Sequence, residues 1–210
     1  MAGRPGGRPW SLSTTNRVAS AVAGLIMLAA ASPLMLGIAL AIKLTSPGPV
    51  FFAQQRTGYR GRRFSMYKFR TMVANAEALK DSVRHLNKHG KNAVDFKANG
   101  DPRVTRLGAF LRRSSLDELP NLFNVVLGQM RLVGPRPTSF HAQTYHDHHF
   151  GRLGAYPGVT GLWQISGRSD VGFDARVALD EQYILQQSPL LDLKILLKTP
   201  AKVFSGHGAC

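Results

Sequence analysis

The sequence predicts an α+β chain, mainly helical. An N-terminal re-entrant membrane helix (helix, break, helix) leads into a small compact domain on the cytoplasmic side, with interfacial amphipathic helices. Three observations carry this prediction: one long apolar run near the N-terminus, basic residues on both of its flanks, and short mixed elements after it. The expected divisions are a disordered basic tail over 1–17, the membrane helix over 18–44 and the compact domain over 45–205.

With 210 residues the chain can bury one good core. Its formal charge of +15 attracts nucleic acid, anionic head groups and phosphorylated small molecules alike. The arginines lack the interleaved aromatic residues that base stacking requires, so nucleic acid is not an expected partner. The sole cysteine, Cys210, rules out a disulfide framework or a cysteine-based metal site within one chain.

The first nine residues are rich in Gly, Arg and Pro and read as disordered. From Val18 to Leu44 the chain is apolar almost throughout, long enough to span a bilayer, and carries only Lys43 as a charge. Ser32 and Pro33 stand at its centre, where a proline removes a backbone donor and crowds the preceding turn. A cleaved signal peptide fits the basic start and the Ala29-Ala30-Ala31 run, but the apolar stretch continues too far past that point. A plain spanning helix would place one basic flank outside. Arg4, Arg8 and Arg17 precede the segment, and Lys43, Arg56, Arg60, Arg62 and Arg63 follow it, without an acid on either side. The re-entrant form keeps both flanks on the cytoplasmic face.

Pro47, Gly48 and Pro49 close the membrane segment. Val50 to Gln54 reads as a strand, and FSMYKF as its return across a basic turn over Thr57 to Arg63, which predicts a hairpin. Ala74 to His89 is a polar helix-forming stretch, and Asn87 to Gly100 a mobile loop. Leu107 to Arg113 and Leu119 to Leu127 have the spacing of short amphipathic helices. LVGPRP, Leu132 to Pro137, excludes regular helix, and Tyr156 to Arg168 has the glycine spacing of a loop around one strand. Val177 to Gln187 and Leu190 to Lys198 are helical, the second with lysines 194, 198 and 202 placed for the head-group layer or for solvent. HDHH, His146 to His149, is a zinc candidate without a second cluster and reads more simply as a solvated patch.

Asp117 and Glu118 are the only carboxylates between Pro102 and His146, and they stand just after Arg112 and Arg113, with Ser114, Ser115 and Leu116 between. Ser115 with Glu118 matches a capping box, which explains Glu118 but Asp117 only weakly. Pro120 sits awkwardly for a helix starting at that box, so the helix begins later than the box implies. Alternatively, acids beside fixed cations have depressed pKa values and stay ionised, as a nucleophile or a metal ligand requires. One could attack phosphorus while the other holds Mg²⁺, with Arg112 and Arg136 clamping phosphate oxygens.

SPGPVFF (46–52), YKFRTM (67–72), DPRVTRLGAFLRRSSLDELPNLFNV (101–125), LVGPRP and PGVTGLWQISGRSD (157–170) occur in that order. Together they resemble the bacterial sugar transferases, and more narrowly the small monotopic phosphoglycosyl transferases that begin exopolysaccharide and glycan assembly. The resemblance covers nearly all of Val18 to Lys198. It implies that Asp117 is the nucleophile toward a UDP-sugar, releasing UMP, and that Glu118 binds Mg²⁺. It implies substrate and phosphate contacts for Lys68, Arg112 and Arg136, a helix break at Ser32 and Pro33, and polyprenyl (undecaprenyl) phosphate as acceptor at the bacterial inner membrane. Many relatives read Gly-Asp-Met-Ser where this chain has GQMR, Gly128 to Arg131, which leaves the role of an acid there open. Larger relatives carry further membrane helices before this region, so the chain corresponds to the catalytic portion alone. The other functions compatible with these residues are a non-catalytic basic binder of membrane lipid or nucleic acid, and a nucleotide-sugar hydrolase using the same acids.

Overall fold

The computed structural model describes residues 9–79, 81–83, 85, 100–166 and 172–204. Among these the chain is mainly helical, with two small two-stranded sheets. Helix α1 (Thr14–Thr45) is long and apolar enough to cross a membrane. It starts at Ser13, whose hydroxyl accepts the Asn16 N–H at 3.1 Å and so caps the helix. The expected disordered tail to residue 17 does not hold for the part described. Trp10–Leu12 form a 3-10 turn with Ser11 fully buried, because the Ser11 N–H donates to Gln187 Oε1 at 2.6 Å.

α1 runs through Ser32 and Pro33 as one helix, where the sequence led to the expectation of an interruption. Pro33 has no N–H for the Ala29 carbonyl, and Ser32 Oγ donates to that carbonyl instead, at 2.7 Å. The serine replaces the hydrogen bond that the proline removes. Asn16, Ser20 and Gly24 near the start of α1, and Met35, Ile38 and Ile42 near its end, are buried against the rest of the chain. Leu25, Ile26, Leu36, Leu40 and Leu44 are exposed. Gly24 permits the close approach: a Cβ there would lie 3.0 Å from Val125 Cγ1.

After α1 the predicted hairpin forms from β1 (Phe51–Thr57) and β2 (Arg63–Phe69), antiparallel, with Phe51 opposite Phe69 and Thr57 opposite Arg63. Arg70 fastens it to the end of α1, donating through Nη2 to Ser46 O at 2.8 Å and Ser46 Oγ at 2.7 Å, and through Nη1 to the Pro47 carbonyl. Helix α2 (Arg106–Arg113) is capped by Thr105 Oγ1, which accepts the Gly108 N–H at 2.9 Å. Gly108 itself must lack a side chain, since a Cβ would meet the Thr71 carbonyl at 2.0 Å. Phe69 and Leu111 then close a core with Met35, Ile38 and Ile42 of α1.

Helix α3 (Asn121–Val126) begins after Pro120, later than a box at Ser115 would start it. Strands β3 (Arg131–Val133) and β4 (Gly158–Thr160) pair in parallel, with Arg131 opposite Gly158. Helices α4 (Leu162–Ser166), α5 (Phe173–Gln186) and α6 (Pro189–Phe204) follow. Val133, Tyr183 and Ile195 form the core there, while Leu190, Leu193 and Leu197 line an exposed strip of α6. The loop expected over Tyr156 to Arg168 thus contains the strand but also α4. Residues 74–79 make turns rather than the start of a helix to His89. The rest of that stretch apart from 81–83 and 85, residues 87–99, Arg168, Ser169 and Asp170 lie outside the described residues.

Asp192 of α6 joins three parts of the chain. Its Oδ2 accepts Trp10 Nε1 at 2.8 Å and Asn16 Nδ2 at 3.2 Å, and its Oδ1 accepts the Tyr183 hydroxyl at 2.8 Å. Burial pushes this carboxyl above its ordinary value, against the pull of the three donors. Replacing it by Ala strands those donors in the interior, so Asp192→Ala is expected to cost about 2–4 kcal/mol of stability. Chemical unfolding in detergent measures this, and a loss below about 0.5 kcal/mol would show the network to be idle.

Candidate active site

The acidic pair is presented by strained backbone. Ser115 lies in the left-handed region, φ 56°, between α2 and the 3-10 turn Leu116–Glu118. Its side chain makes no capping hydrogen bond, so the capping-box reading of Glu118 fails. The turn instead directs both acids toward β2 and the Pro-Arg-Pro segment.

Glu118 is held by two cations. Lys68 Nζ donates to Oε1 at 2.7 Å, Arg136 Nη1 donates to Oε2 at 2.9 Å, and Arg136 Nη2 also donates to Oε1. Burial pushes this carboxyl up, but Arg136 and Lys68 outweigh it and hold it well below the usual carboxylate range. Arg136 is raised in turn by the Glu118 charge.

Asp117 differs from its neighbour. It is only 8 % exposed, and its nearest cation is Lys68, with Nζ 3.8 Å from Oδ2. Burial is the largest influence and raises its pKa, Lys68 opposes this, and the Glu118 charge adds to the rise. The expectation that both acids are depressed therefore holds for Glu118 and not for Asp117. The reason is geometric: the cations spend their hydrogen bonds on Glu118. Asp117 has thus lost water without gaining the donors that Glu118 has.

Of the five predicted site residues, Asp117, Glu118, Lys68 and Arg136 thus come together. Arg112 joins through its field, lowering the Asp117 pKa, while its Nε donates to Thr71 Oγ1 at 2.9 Å. Ser32 and Pro33 lie on the exposed side of α1, away from this cluster.

A second layer went unread in the sequence. Arg152, 5 % exposed, donates through Nε and Nη2 to Asp180 Oδ2 at 3.0 and 2.6 Å, and through Nη2 to the Arg136 carbonyl at 2.7 Å. Asp180 on α5 thus anchors the residue that fixes the Arg136 backbone. The two are 28 residues apart, and no local spacing pairs them. Gln129 is also explained: its Oε1 accepts Asn124 Nδ2 at 2.6 Å, and Asn124 receives the Tyr67 N–H at 3.0 Å beside Lys68. An oxygen acceptor is what this position supplies. Arg131, 2 % exposed, stacks 4.0 Å from the Tyr156 ring centroid.

The histidine run is only partly solvated, because His149 is buried. With His148 and Asp174 it forms a three-residue group of metal-ligating type. Its Nδ1 accepts the His146 N–H at 3.3 Å, so Nε2 carries the proton it shares with Asp174 Oδ1 at 2.7 Å.

A model of the family described as bacterial sugar transferase matches residues 11–206. The undecaprenyl-phosphate galactose phosphotransferase of Salmonella typhimurium is 44 % identical over 198 residues, 92 % of this chain and 41 % of that protein. The exopolysaccharide production protein ExoY of Rhizobium meliloti is 40 % identical over 181 residues, covering 85 % of this chain and 80 % of that one. The UDP-glucose:undecaprenyl-phosphate glucose-1-phosphate transferase of Xanthomonas campestris pv. campestris is 41 % identical over 180 residues, 81 % of this chain and 35 % of its own. The chain spans about two fifths of the length of several curated relatives it matches. With its acidic pair, its clamp and nearly its whole length accounted for by that match, the chain belongs to the bacterial sugar transferase family.

Proposed function

We propose that the protein transfers a sugar 1-phosphate from a UDP-sugar to polyprenyl (undecaprenyl) phosphate at the cytoplasmic face of the bacterial inner membrane. This is the first membrane step of exopolysaccharide or glycan assembly. The observation that carries this reading is the buried Asp117 carboxylate, poor in donors, beside a Glu118 that Lys68 and Arg136 both hold. The names of the relatives, which transfer galactose or glucose phosphates to undecaprenyl phosphate, support the donor and acceptor classes.

In the first step an Asp117 Oδ attacks the phosphorus that bears the sugar. The bond from that phosphorus to the bridging oxygen breaks, UMP leaves with the electron pair, and the sugar phosphate is held as an acyl phosphate. In the second step an oxygen of polyprenyl phosphate attacks the same phosphorus, freeing the Asp117 carboxylate and giving polyprenyl diphosphate sugar. Splitting the transfer lets a water-soluble donor and a lipid acceptor use one site in turn. Lys68, Arg112 and Arg136 bind and orient the phosphate oxygens.

Glu118 Oε1 accepts from both Lys68 and Arg136, and Oε2 from Arg136 alone, which leaves a lone pair on Oε2. This donor set fits Mg²⁺ held by one protein oxygen, with substrate phosphate and water completing the shell. A bound ion supplies charge neutralisation at the diphosphate.

The re-entrant reading of α1 is supported by its packing. Asn16, Ser20 and Gly24 near one end and Met35, Ile38 and Ile42 near the other all rest on the same domain. A helix standing upright across the bilayer would carry one of those ends away from a domain on the cytoplasmic side. The exposed Phe110, Phe123, Leu127, Leu193 and Leu197 extend the apolar surface toward the head-group layer.

Three measurements test these assignments. With donor, Mg²⁺ and lipid in nanodiscs, wild type is expected to release UMP and carry a sugar-dependent covalent adduct at residue 117. Asp117→Asn is expected to lose at least about 10³-fold in rate, and a fully active variant would sink the proposal. The acid limb of kcat/KM is expected above the ordinary aspartate value of about 3.9, with activity falling as pH falls through it. Lys68→Met removes a charge that lowers the Asp117 pKa, so its residual activity should show the limb moved further up; a downward move contradicts the electrostatic assignment. Finally, in a Cys210→Ser background, Thr15→Cys and Lys43→Cys are both expected to react with an impermeant thiol reagent from the same side of sealed vesicles. Labelling from opposite sides would establish a spanning helix.

A further inference from the structure

Next to the acidic pair, and sharing Arg136 with it, is a cleft of about 100 Å³ lined by Arg56, Arg136, Arg152, Trp163, Phe173 and Arg176 together with the loop 137–140. Four of these are guanidinium groups, and among the described residues no acid lines the cleft. Arg152 Nη1 and Trp163 Nε1, both buried donors of lining residues, have no hydrogen-bond acceptor among the described residues. Arg152 is 5 % exposed and Trp163 8 %. The remaining nitrogens of Arg152 are committed to Asp180 and to the Arg136 carbonyl. The Arg176 guanidinium lies 5.1 Å from the Trp163 ring centroid. Folded proteins seldom leave such N–H groups unpaired in the interior, and a ligand oxygen is one acceptor that completes them.

We propose, resting on the transferase reading above, that this cleft receives the phosphate of the departing nucleoside monophosphate, with Arg152, Trp163 and Arg176 as its donors. Charge decides between the two halves of the donor. A neutral hexose gains little from four guanidinium groups, whereas the leaving group departs as a phosphate bearing the electron pair of the broken bond. Position decides between donor and acceptor. On the membrane placement proposed above, the exposed apolar residues of α1, α2, α3 and α6 are the ones that face lipid, and none of them lines the cleft. The cleft is therefore suited to a water-soluble anion. Arg136 links the two places: its guanidinium holds Glu118 while its carbonyl is held by Arg152, so the cleft begins where the acidic pair ends.

The test is direct titration of UMP into the full chain in nanodiscs, by calorimetry, with Arg176→Ala and Trp163→Phe as variants. Trp163→Phe keeps an aromatic ring and removes the Nε1–H, so it reports on the donor even if a larger change disturbs folding. Arg176→Ala is expected to weaken UMP about tenfold and Trp163→Phe roughly threefold. The product-inhibition constant of UMP should follow by the same factors, while the KM for polyprenyl phosphate stays within about twofold. Failure of wild type to bind UMP, or unchanged affinity in both variants, overturns the proposal. So does an equal loss toward polyprenyl phosphate, which would make the cleft the acceptor's. If UMP binds and the variants weaken it, yet no donor yields UMP, the cleft stands as a nucleotide site and the transferase reading falls.

Discussion

A carboxylate removed from water stays ionised only where cations replace the hydrogen bonds it has lost. Glu118 meets that condition through Lys68 and Arg136, and the two come from distant parts of the chain, one on β2 and one after β3. Their meeting at one side chain ties the hairpin, the 3-10 turn and the second sheet into a single arrangement. Asp117 gains its character by contrast. It shares the burial and the cation field but not the hydrogen bonds, so the same electrostatics that fix one acid leave its neighbour less stabilised. Two adjacent residues of similar chemistry are thereby separated into an acid held by donors and one left without them. Their difference arises from which of them the Ser115 turn aims at Lys68.

The surrounding architecture maintains this division at some cost. Ser115 adopts a backbone conformation that a residue with a side chain reaches at an expense of about 1–3 kcal/mol, and Gly108 lets α2 approach Thr71 closely enough to set where that turn begins. Arg152 and Asp180 hold the Arg136 backbone from behind. Burial pushes the Asp180 carboxyl up to about 6 despite Arg152 beside it, a measure of how far from water this support lies.

Much of this was legible in the sequence, and what was not has a common cause. The hairpin, α2, α3 and the apolar helix follow from local periodicity and turn residues, so they could be read from neighbours alone. Assigning Lys68 to the same site as Asp117 required the family motifs, because nothing within a few residues of either links them. Arg152 with Asp180, and Trp10 with Asp192, are joined across 28 and 182 positions and carry no local signal at all. The described part of the tail, from residue 9 on, differs from its expectation for that reason: its order comes from Asp192 and Gln187, not from its own composition. The proline at 33 is the opposite case. Its compensation, the Ser32 hydroxyl on the Ala29 carbonyl, is entirely local and was available in the Ser-Pro pair.

The charge of +15 also acquires a different meaning once the side chains are placed. Read as a total, it suggests a diffuse basic surface able to attract any polyanion. Several of the arginines are instead structural: Arg70 binds the end of α1, Arg103 pairs with Asp101, Arg131 stacks on Tyr156 and Arg152 is locked to Asp180. These groups add to the count but are largely withdrawn from solvent, all four being 8 % exposed or less. The field that a soluble anion meets near the acidic pair comes from Lys68, Arg112 and Arg136 and from the cleft beyond them. A field made of few charges at fixed positions favours a compact ligand with concentrated charge, such as a diphosphate, over an extended polyanion whose charges need a continuous track. Under the proposed function, selectivity for a small phosphorylated substrate would follow from how the guanidinium groups are shared between holding the fold and lining the site, and not from their number.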